Sequence, residues 1–277
     1  MSGTVLEVWG DPIAHSLSPA LHTAAYAHLG WDWSYGRRRV AEADFARELA
    51  ALGPQFRGLS CTMPLKGLVF AVADERDGRA ESTGAANTLL LTGGRRRAFN
   101  TDVGGIVRAL QEAGVERLDD ARIVGAGATA TSALVAVAEL GAREVEILAR
   151  RPEAAAALAE RGRALGVDVR ALPLAATTHG PRGVTVSTLP GGAAVAPDVA
   201  TSLAAAGGLL FDAVYGHWPT VLASAWESAG HPAVGGAGML LHQAVLQIRI
   251  FATGDVDEPL PDEPAVVAVM RRALVGG

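Results

Sequence analysis

The chain has 277 residues, of which 49% are hydrophobic and 19% are charged, and its formal net charge is −5. This composition is typical of a globular protein and excludes a disordered one, and the length favours two compact units. The basic residues are scattered apart from the short arginine runs 37–39 and 95–97, so the sequence lacks the broad basic face of a nucleic-acid-binding protein.

The cysteine content and the distribution of apolar residues indicate the cellular compartment. Cys61 is the only cysteine, which excludes an intrachain disulfide and a multi-cysteine metal site, and a buried packing role is favoured over a nucleophilic one. The N-terminus lacks a basic region followed by an apolar one, and the apolar runs are broken before they reach the length of a membrane span. The sequence therefore predicts a cytoplasmic protein without a membrane or nucleic-acid partner.

The first hundred residues predict an α/β unit whose polar side chains collect where strands and helices end. Strands are predicted at 5–10, 31–40, 55–59, within 81–91 and at 98–102, and helices at 20–29, 44–52 and after 66. Ser18 is expected to cap the first helix, which Pro19 can open. At this junction Ser16 and Ser18 can bind a polar ligand or serve the fold alone, and the local sequence leaves both readings open.

Lys66 follows the third predicted strand and is the only lysine beside 23 arginines. A guanidinium stays protonated, whereas a lysine ammonium can lose its proton when it is desolvated or placed near another charge. A single amine in a chain that otherwise uses arginine is therefore a candidate for proton transfer. A chance surface lysine would explain the same observation, and the rest of the chain has to decide between the two.

An amphipathic helix at 103–113 is expected to lead into a second unit. There a strand at 121–124 is followed by Gly125-Ala126-Gly127, a helix and a second strand, with Ala130 where the usual third glycine would stand. Such a turn lets backbone amides meet a pyrophosphate at a helix N-terminus. The sequence therefore predicts a dinucleotide site.

Arg150 and Arg151 end the second strand of this motif, where an acidic residue would bind the ribose of NAD. Guanidinium groups there suit the 2′-phosphate of NADP, so NADP is favoured over NAD. The alternative is a pair of exposed arginines without a ligand.

The remaining elements predict a parallel, doubly wound sheet, because strands and helices alternate. Strands are expected at 167–169, 183–187 and 208–215, and helices at 154–165, 199–206, from about 235 and at 264–275. The loops 188–192 and 215–219 leave the carboxyl ends of strands, where ligands bind in such folds.

These segments together resemble shikimate dehydrogenase, and the resemblance covers essentially the whole chain. The segments that carry it are 10–19, 61–66, Gly84-Ala85-Ala86-Asn87-Thr88, Asn100-Thr101-Asp102, the glycine turn, and Gly238-Met239-Leu240 with Gln243. Each is weak alone, whereas their order and spacing together are specific. The resemblance implies an enzyme that reversibly reduces 3-dehydroshikimate to shikimate with NADPH, on the path to chorismate and the aromatic amino acids.

The resemblance also implies domains and site residues. A substrate-binding and catalytic domain would comprise 1–102 with 238–277, and a Rossmann-like NADP domain would comprise 103–237. The implied acid/base pair is Lys66 and Asp102. The implied substrate ligands are Ser16, Ser18, Thr62, Asn87, Tyr215 and Gln243. The implied cofactor contacts are Gly125, Ala126, Gly127, Ala128, Thr129, Arg150, Ala213, Gly236 and Met239, with Arg151 beside Arg150.

Three positions depart from the family pattern. The family often has Asn where this chain has Ser60, and it usually has Asn where this chain has Ala149. A later basic residue of its phosphate clamp is replaced by Ala154, for which Arg151 can compensate. These departures affect the expected preference for NADP over NAD more than the expected reaction.

In the implied reaction Lys66 donates a proton to the nascent alkoxide, and Asp102 orients Lys66. No metal is required, and no cluster of metal-ligating residues occurs in the sequence. Two alternatives stay open: a quinate or aminoshikimate-type dehydrogenase that uses NAD or NADP, and a non-catalytic NADP-binding sensor. The resemblance is also compatible with a homodimer.

Overall fold

A computed structural model describes residues 3–175, 177–216 and 218–275, and the chain divides into two compact units. The first unit comprises the residues up to Gly105 and those from Leu240 onward, and the second comprises the residues between them, Ile106 to Met239. Each unit has its own six-stranded sheet. Within the described ranges, the structure has no helix that is long and apolar enough to cross a membrane.

The strands and helices are numbered in chain order. The strands are β1 Thr4–Gly10, β2 Trp33–Arg39, β3 Phe56–Cys61, β4 Glu75–Arg76, β5 Thr88–Thr92, β6 Arg95–Phe99, β7 Asp120–Val124, β8 Glu144–Ala149, β9 Asp168–Pro173, β10 Val184–Ser187, β11 Leu209–Asp212 and β12 Ala233–Gly235. The helices are α1 Ser18–Leu29, α2 Phe45–Ala50, α3 Lys66–Val72, α4 Gly78–Thr83, α5 Thr101–Glu112, α6 Ala128–Glu139, α7 Pro152–Ala164, α8 Pro197–Ala204, α9 Val221–Ser228, α10 Ala237–Thr253 and α11 Glu263–Val275.

The sheet of the first unit is mixed and has the order β2-β1-β3-β5-β6-β4. β1 pairs in parallel with β2 and β3, whereas β5 runs antiparallel to β3 and β6. Gly93 and Gly94 both have positive φ, which only glycine adopts without cost, and they form the turn of the β5–β6 hairpin. One core cluster joins the sheet to α1, α10 and α11, and the other joins it to α2, α3 and α4. The sheet is therefore covered on both faces.

The sheet of the second unit is parallel throughout and has the order β12-β11-β10-β7-β8-β9. The strand order reverses between β7 and β10, which makes the carboxyl ends of these strands a topological switch point. Gly125 follows β7 directly and therefore lies at that point. The predicted doubly wound parallel sheet is confirmed.

The structure corrects three details of the sequence prediction. Helix α1 begins at Ser18 with Leu17 in the capping position, and no side chain caps it, so the predicted Ser18 cap is wrong. The strand predicted at 208–215 ends at Asp212, where the Asp212 carboxylate accepts from the Val214 N–H directly after the strand. Helix α9 and strand β12 were not predicted, and both are short, with eight and three residues. The predicted loop 215–219 contains His217, which lies outside the described residues.

Candidate active site

Lys66 is the first residue of α3, directly after the turn that leaves β3. The Leu65 N–H donates to the Thr62 carbonyl at 2.8 Å and the fully buried Leu65 side chain anchors the turn. The Lys66 carbonyl accepts from the Ala86 N–H at 3.0 Å. The backbone of Lys66 is thus fixed by two neighbouring segments, which limits the positions that its side chain can reach.

The Lys66 side chain ends against a buried carboxylate. Its Nζ lies 2.5 Å from Asp102 Oδ2, and the two side chains are only 17% and 8% exposed. Among the hydrogen bonds of the described residues, this is the only one that Nζ makes. An ammonium has three N–H donors. Lys66 therefore keeps donors for a further partner while Asp102 holds it in place.

Asp102 is positioned by the start of α5. The Asn100 Oδ1 accepts from the Asp102 N–H at 3.1 Å and from the Val103 N–H at 3.4 Å, which is the geometry of a helix N-cap. The Asn100 Nδ2 donates in turn to Thr83 Oγ1 at 2.9 Å and to the Ala85 carbonyl at 3.0 Å. The carboxylate therefore lies in the first turn of a capped helix, where negative charge is favourable.

Asn87 is the second partner of this carboxylate. Its Nδ2 donates to Asp102 Oδ1 at 2.8 Å, and its Oδ1 accepts from the Thr101 N–H at 2.9 Å. The Gln243 Oε1 lies 3.4 Å from the same Nδ2. Because a backbone N–H can only donate, the Thr101 contact fixes which end of the Asn87 amide faces Asp102. Four of the predicted site residues, Lys66, Asp102, Asn87 and Gln243, are thus joined in one network.

The predicted ligands Ser16, Ser18 and Thr62 follow β1 and β3, which are parallel neighbours. The Ser16 Oγ accepts from the Ser18 N–H at 3.3 Å. The loop after β1 and the loop after β3 run side by side, since the Asp11 N–H donates to the Met63 carbonyl at 3.0 Å. Thr62 packs so closely on Gly10 that a Cβ there would overlap its methyl group. These three residues therefore lie beyond the carboxyl ends of two neighbouring strands, and none of the hydrogen bonds of the described residues joins them to Lys66.

The predicted cofactor turn lies in the second unit and is built from backbone. Gly125 has a φ of +116°, its N–H donates to the Leu148 carbonyl at 2.8 Å, and a Cβ would overlap the Thr188 hydroxyl. Gly127 occupies the N-cap position of α6, and no side chain caps that helix. Ala126 lies between the two glycines, and Ala128 and Thr129 open the helix. The first amide groups of α6 are therefore free to meet an anion.

The other predicted cofactor residues also belong to the second unit. Arg150 and Arg151 follow β8 and are exposed. The chain after β11 approaches the chain after β12 so closely that a Cβ on Gly236 would overlap the Ala213 carbonyl. Met239 is half-buried in the first turn of α10. Tyr215, predicted as a substrate ligand, is 41% exposed and belongs to the second unit, whereas the other predicted substrate ligands belong to the first.

Two supporting residues were not predicted as site residues. Asn100 stands directly before an amphipathic helix, which is a helix-start signal that could have identified it as a cap. Asp212 is buried at the end of β11, where its Oδ2 accepts from Thr220 Oγ1 at 2.7 Å and its Oδ1 from the Val214 N–H at 3.3 Å. Burial raises the pKa of this carboxyl. Asp212 therefore binds the residue between Ala213 and Tyr215 and also the N-cap residue of α9, Thr220.

Comparisons with known proteins match this arrangement. The model of the shikimate dehydrogenase substrate binding domain matches residues 8–89. A shikimate dehydrogenase (NADP(+)) of Methanothermobacter thermautotrophicus is 35% identical over 279 residues, which cover 97% of each chain.

Solved structures agree over the full length. The crystal structure of Mycobacterium tuberculosis shikimate dehydrogenase is 38% identical, with a TM-score of 0.83 and coverage of 99% of this chain and 100% of the other. The Thermus thermophilus shikimate 5-dehydrogenase, solved in complex with NADP(H) and shikimate, is 30% identical, with a TM-score of 0.81 and coverage of 98% and 99%. Identity of this extent over nearly complete chains, together with the shared fold, shows that the chain belongs to the shikimate dehydrogenase family.

Proposed function

We propose that the chain is an NADP-dependent shikimate dehydrogenase, which reversibly reduces 3-dehydroshikimate to shikimate. The observation that carries the proposal is the Lys66–Asp102 contact of 2.5 Å, in a network of polar side chains at the ends of strands and helices. A sensor that only binds a dinucleotide has no need of a half-buried amine held by a carboxylate. The relatives that bear the name shikimate dehydrogenase (NADP(+)) support the same activity.

The second unit fits NADP at three points. The positive φ of Gly125 and the uncapped start of α6 leave backbone amides for a pyrophosphate. The exposed Arg150 and Arg151 lie where a 2′-phosphate would be bound in this fold. When bound, NADPH supplies the hydride. The implied cofactor residues and the division into a substrate and a cofactor domain belong to this proposal.

Lys66 moves the proton in this proposal. In the reducing direction its ammonium donates a proton to the oxygen of the former ketone, and in the oxidising direction the neutral amine accepts the hydroxyl proton. Asp102 Oδ2 orients Nζ toward the reacting oxygen through the contact of 2.5 Å. Asn87 keeps the carboxylate from rotating, because it holds the other oxygen at 2.8 Å.

The remaining polar residues position a polyol acid. Hydroxyl groups are available beyond the carboxyl ends of β1 and β3, from Ser16, Ser18 and Thr62. Amide groups are available beside the Asp102 carboxylate, from Asn87 and Gln243. Tyr215 completes the set implied by the resemblance. Hydroxyl-directed sites reject analogues that lack or misplace a hydroxyl, since buried polar groups would then be left unpaired. The cytoplasmic location and the homodimer stay predictions.

The test is a comparison of four substrate pairs with the purified protein. NADP+ and NAD+ reduction would be measured with shikimate and with quinate, which carries an additional ring hydroxyl. We expect kcat/KM to be highest for shikimate with NADP+, by about tenfold or more over the other three pairs. A higher value with quinate or NAD+ would favour the relative with other specificity. NADPH binding without turnover of either substrate would favour a sensor.

A further inference from the structure

A chain of buried polar side chains crosses the first unit behind Asn87, and the proposed chemistry uses none of its members. Gln247 on α10 is its centre, with an exposed fraction of 2%. The other members are similarly buried: His22, Tyr26, Tyr35, Ser60 and Thr88. Burying polar groups is costly unless each is hydrogen-bonded, so the arrangement calls for an explanation beyond packing.

Both ends of the Gln247 amide are engaged. Its Oε1 accepts from Ser60 Oγ at 2.8 Å, and Ser60 Oγ accepts from the Tyr35 hydroxyl at 2.6 Å. Its Nε2 donates to the Asn87 carbonyl at 3.2 Å and to Thr88 Oγ1 at 3.1 Å. Thr88 Oγ1 then donates to Asn87 Oδ1 at 2.9 Å. The donors and acceptors therefore follow one direction: Tyr35 donates to Ser60, Ser60 to Gln247, Gln247 to Thr88, and Thr88 to Asn87.

The Gln247 amide fixes the tautomer of His22, because the Asn87 carbonyl can only accept and therefore faces Gln247 Nε2, which leaves Oε1 toward the ring. The His22 Nε2 lies 3.3 Å from Gln247 Oε1, and its Nδ1 lies 3.0 Å from the Tyr26 hydroxyl. An amide oxygen can only accept, so Nε2 carries the proton and Nδ1 accepts from Tyr26. Burial lowers the pKa of His22 to about 3, so the ring is neutral near pH 7. The ring also stacks on Tyr35 at a centroid distance of 3.9 Å.

The network reaches Asp102 through Asn87. Gln247 donates directly to the Asn87 main-chain carbonyl, and it reaches Asn87 Oδ1 through Thr88. The Thr101 N–H also donates to Asn87 Oδ1. A rotated Asn87 amide would lose these donors and turn its oxygen toward the Asp102 carboxylate. The chain is uncharged throughout, so it can set the direction of this amide without adding a charge beside Lys66.

We propose that Gln247 is a positioning residue, which acts through Thr88 and Asn87 to hold the Asn87 amide against Asp102. The inference rests on the proposed function, because Asp102 matters only if Lys66 transfers a proton. A residue needed solely for packing would be apolar at this place. Its neighbours on α10, Val245 and Ile248, are apolar and fully buried in the same unit.

The kinetic test compares Gln247→Met with Ile248→Val. Met keeps the length of the side chain and removes its hydrogen bonds, whereas Ile248→Val loosens the same helix without touching the network. We expect Gln247→Met to lower kcat/KM for shikimate about tenfold, with KM for NADP+ within about twofold of the wild type. Ile248→Val should leave kcat/KM for shikimate and KM for NADP+ unchanged, even if it lowers the thermal stability. A kcat/KM for Gln247→Met within about twofold of the wild type would overturn the proposal.

A second readout needs no turnover. The side-chain NH₂ signals of Asn87, identified by their loss in Asn87→Asp, should move in Gln247→Met and stay in Ile248→Val in an ¹⁵N-correlated NMR spectrum. Unmoved signals would overturn the proposal even if kcat/KM fell, because the effect would then take another route. An inactive wild-type protein would overturn the proposed function, and the NMR comparison would still decide what holds Asn87. If Gln247→Met does not fold, Ser60→Ala can replace it, because it removes one donor to Gln247. Ser60→Ala should lower kcat/KM for shikimate about threefold and should also move the Asn87 side-chain NH₂ signals.

Discussion

The proposed catalytic site and the proposed cofactor turn are built from different parts of the chain. Lys66, Asp102 and Asn87 are side chains joined by hydrogen bonds of 2.5 and 2.8 Å, and Asn100 caps the helix beneath them. The turn at Gly125 has almost no side chains of its own and depends on a positive φ and on free helix amides. Chemistry in the first unit therefore depends on particular functional groups, whereas binding in the second depends on the absence of a Cβ.

This difference predicts opposite sensitivities. In the first unit, an isosteric change that removes one charge or one donor should reduce turnover and leave cofactor binding unchanged. In the second unit, one added methyl group should weaken cofactor binding and leave the shikimate site unchanged. A variant that changed both to the same degree would contradict the separation of roles.

The largest effect among these comparisons is expected from Asp102→Asn. The substitution keeps the shape of the side chain but removes the charge that orients Lys66, so kcat should fall by about 10²–10³ while KM for NADP+ changes little. Asp74→Asn is the matched control, because it removes an ion-paired carboxylate at the surface of the same unit. Steady-state kinetics would check both, and a loss of less than about fivefold for Asp102→Asn would contradict the assigned role.

A smaller effect is expected from Gly125→Ala. A residue with a Cβ is strained at a φ of +116°, and the added methyl would press on Thr188. We expect KM for NADP+ to rise by about tenfold or more, with KM for shikimate unchanged. Gly230→Ala also places a Cβ at a positive φ, of +77°, but has no neighbour within 4 Å of the added atom. It should reduce stability without altering KM for NADP+, and an equal rise in both variants would contradict a specific role for the turn.

The smallest effect concerns stability alone and is expected from His22→Gln. The pKa of His22 is about 3 in the folded protein and 6.5 in the unfolded one, so the unfolded state binds the additional proton as pH falls through 6.5. The stability contributed by the neutral ring is therefore present above pH 6.5 and is lost below it. Relative to His22→Gln, the wild type should lose about 2 kcal/mol of unfolding free energy between pH 7.5 and pH 5.0. Urea denaturation at the two pH values measures this difference, and an unchanged difference would show that His22 is not held neutral.

Local signals were enough to predict much of the fold. The end of the first helix at residue 29 and the strand–turn–helix–strand motif around Gly125 depend on residues close in sequence, and the structure confirms both. The observed strand order adds that the glycine turn lies at the switch point of the parallel sheet. Composition and the family resemblance both identify Lys66 as a candidate for proton transfer.

The remaining features depend on contacts between distant segments. Gln247 binds Asn87 across 160 positions and His22 across 225, and no local pattern reports such a pairing. The Ser18 cap was predicted from residue type, but α1 already includes Ser18 and no side chain caps it. The strand after Leu209 was predicted too long, because apolar residues continue beyond Asp212, where the chain leaves the sheet.

The measurement that tests the central claim most directly is the turnover of Lys66→Arg. Arginine keeps the positive charge and can keep a contact with Asp102, but its guanidinium does not release its proton near neutral pH. If Lys66 transfers a proton, kcat for shikimate oxidation should fall by about 10²–10⁴, while shikimate still binds, as measured by tryptophan fluorescence. If Lys66 supplies charge alone, kcat would stay within about tenfold of the wild type, and that result would contradict the account.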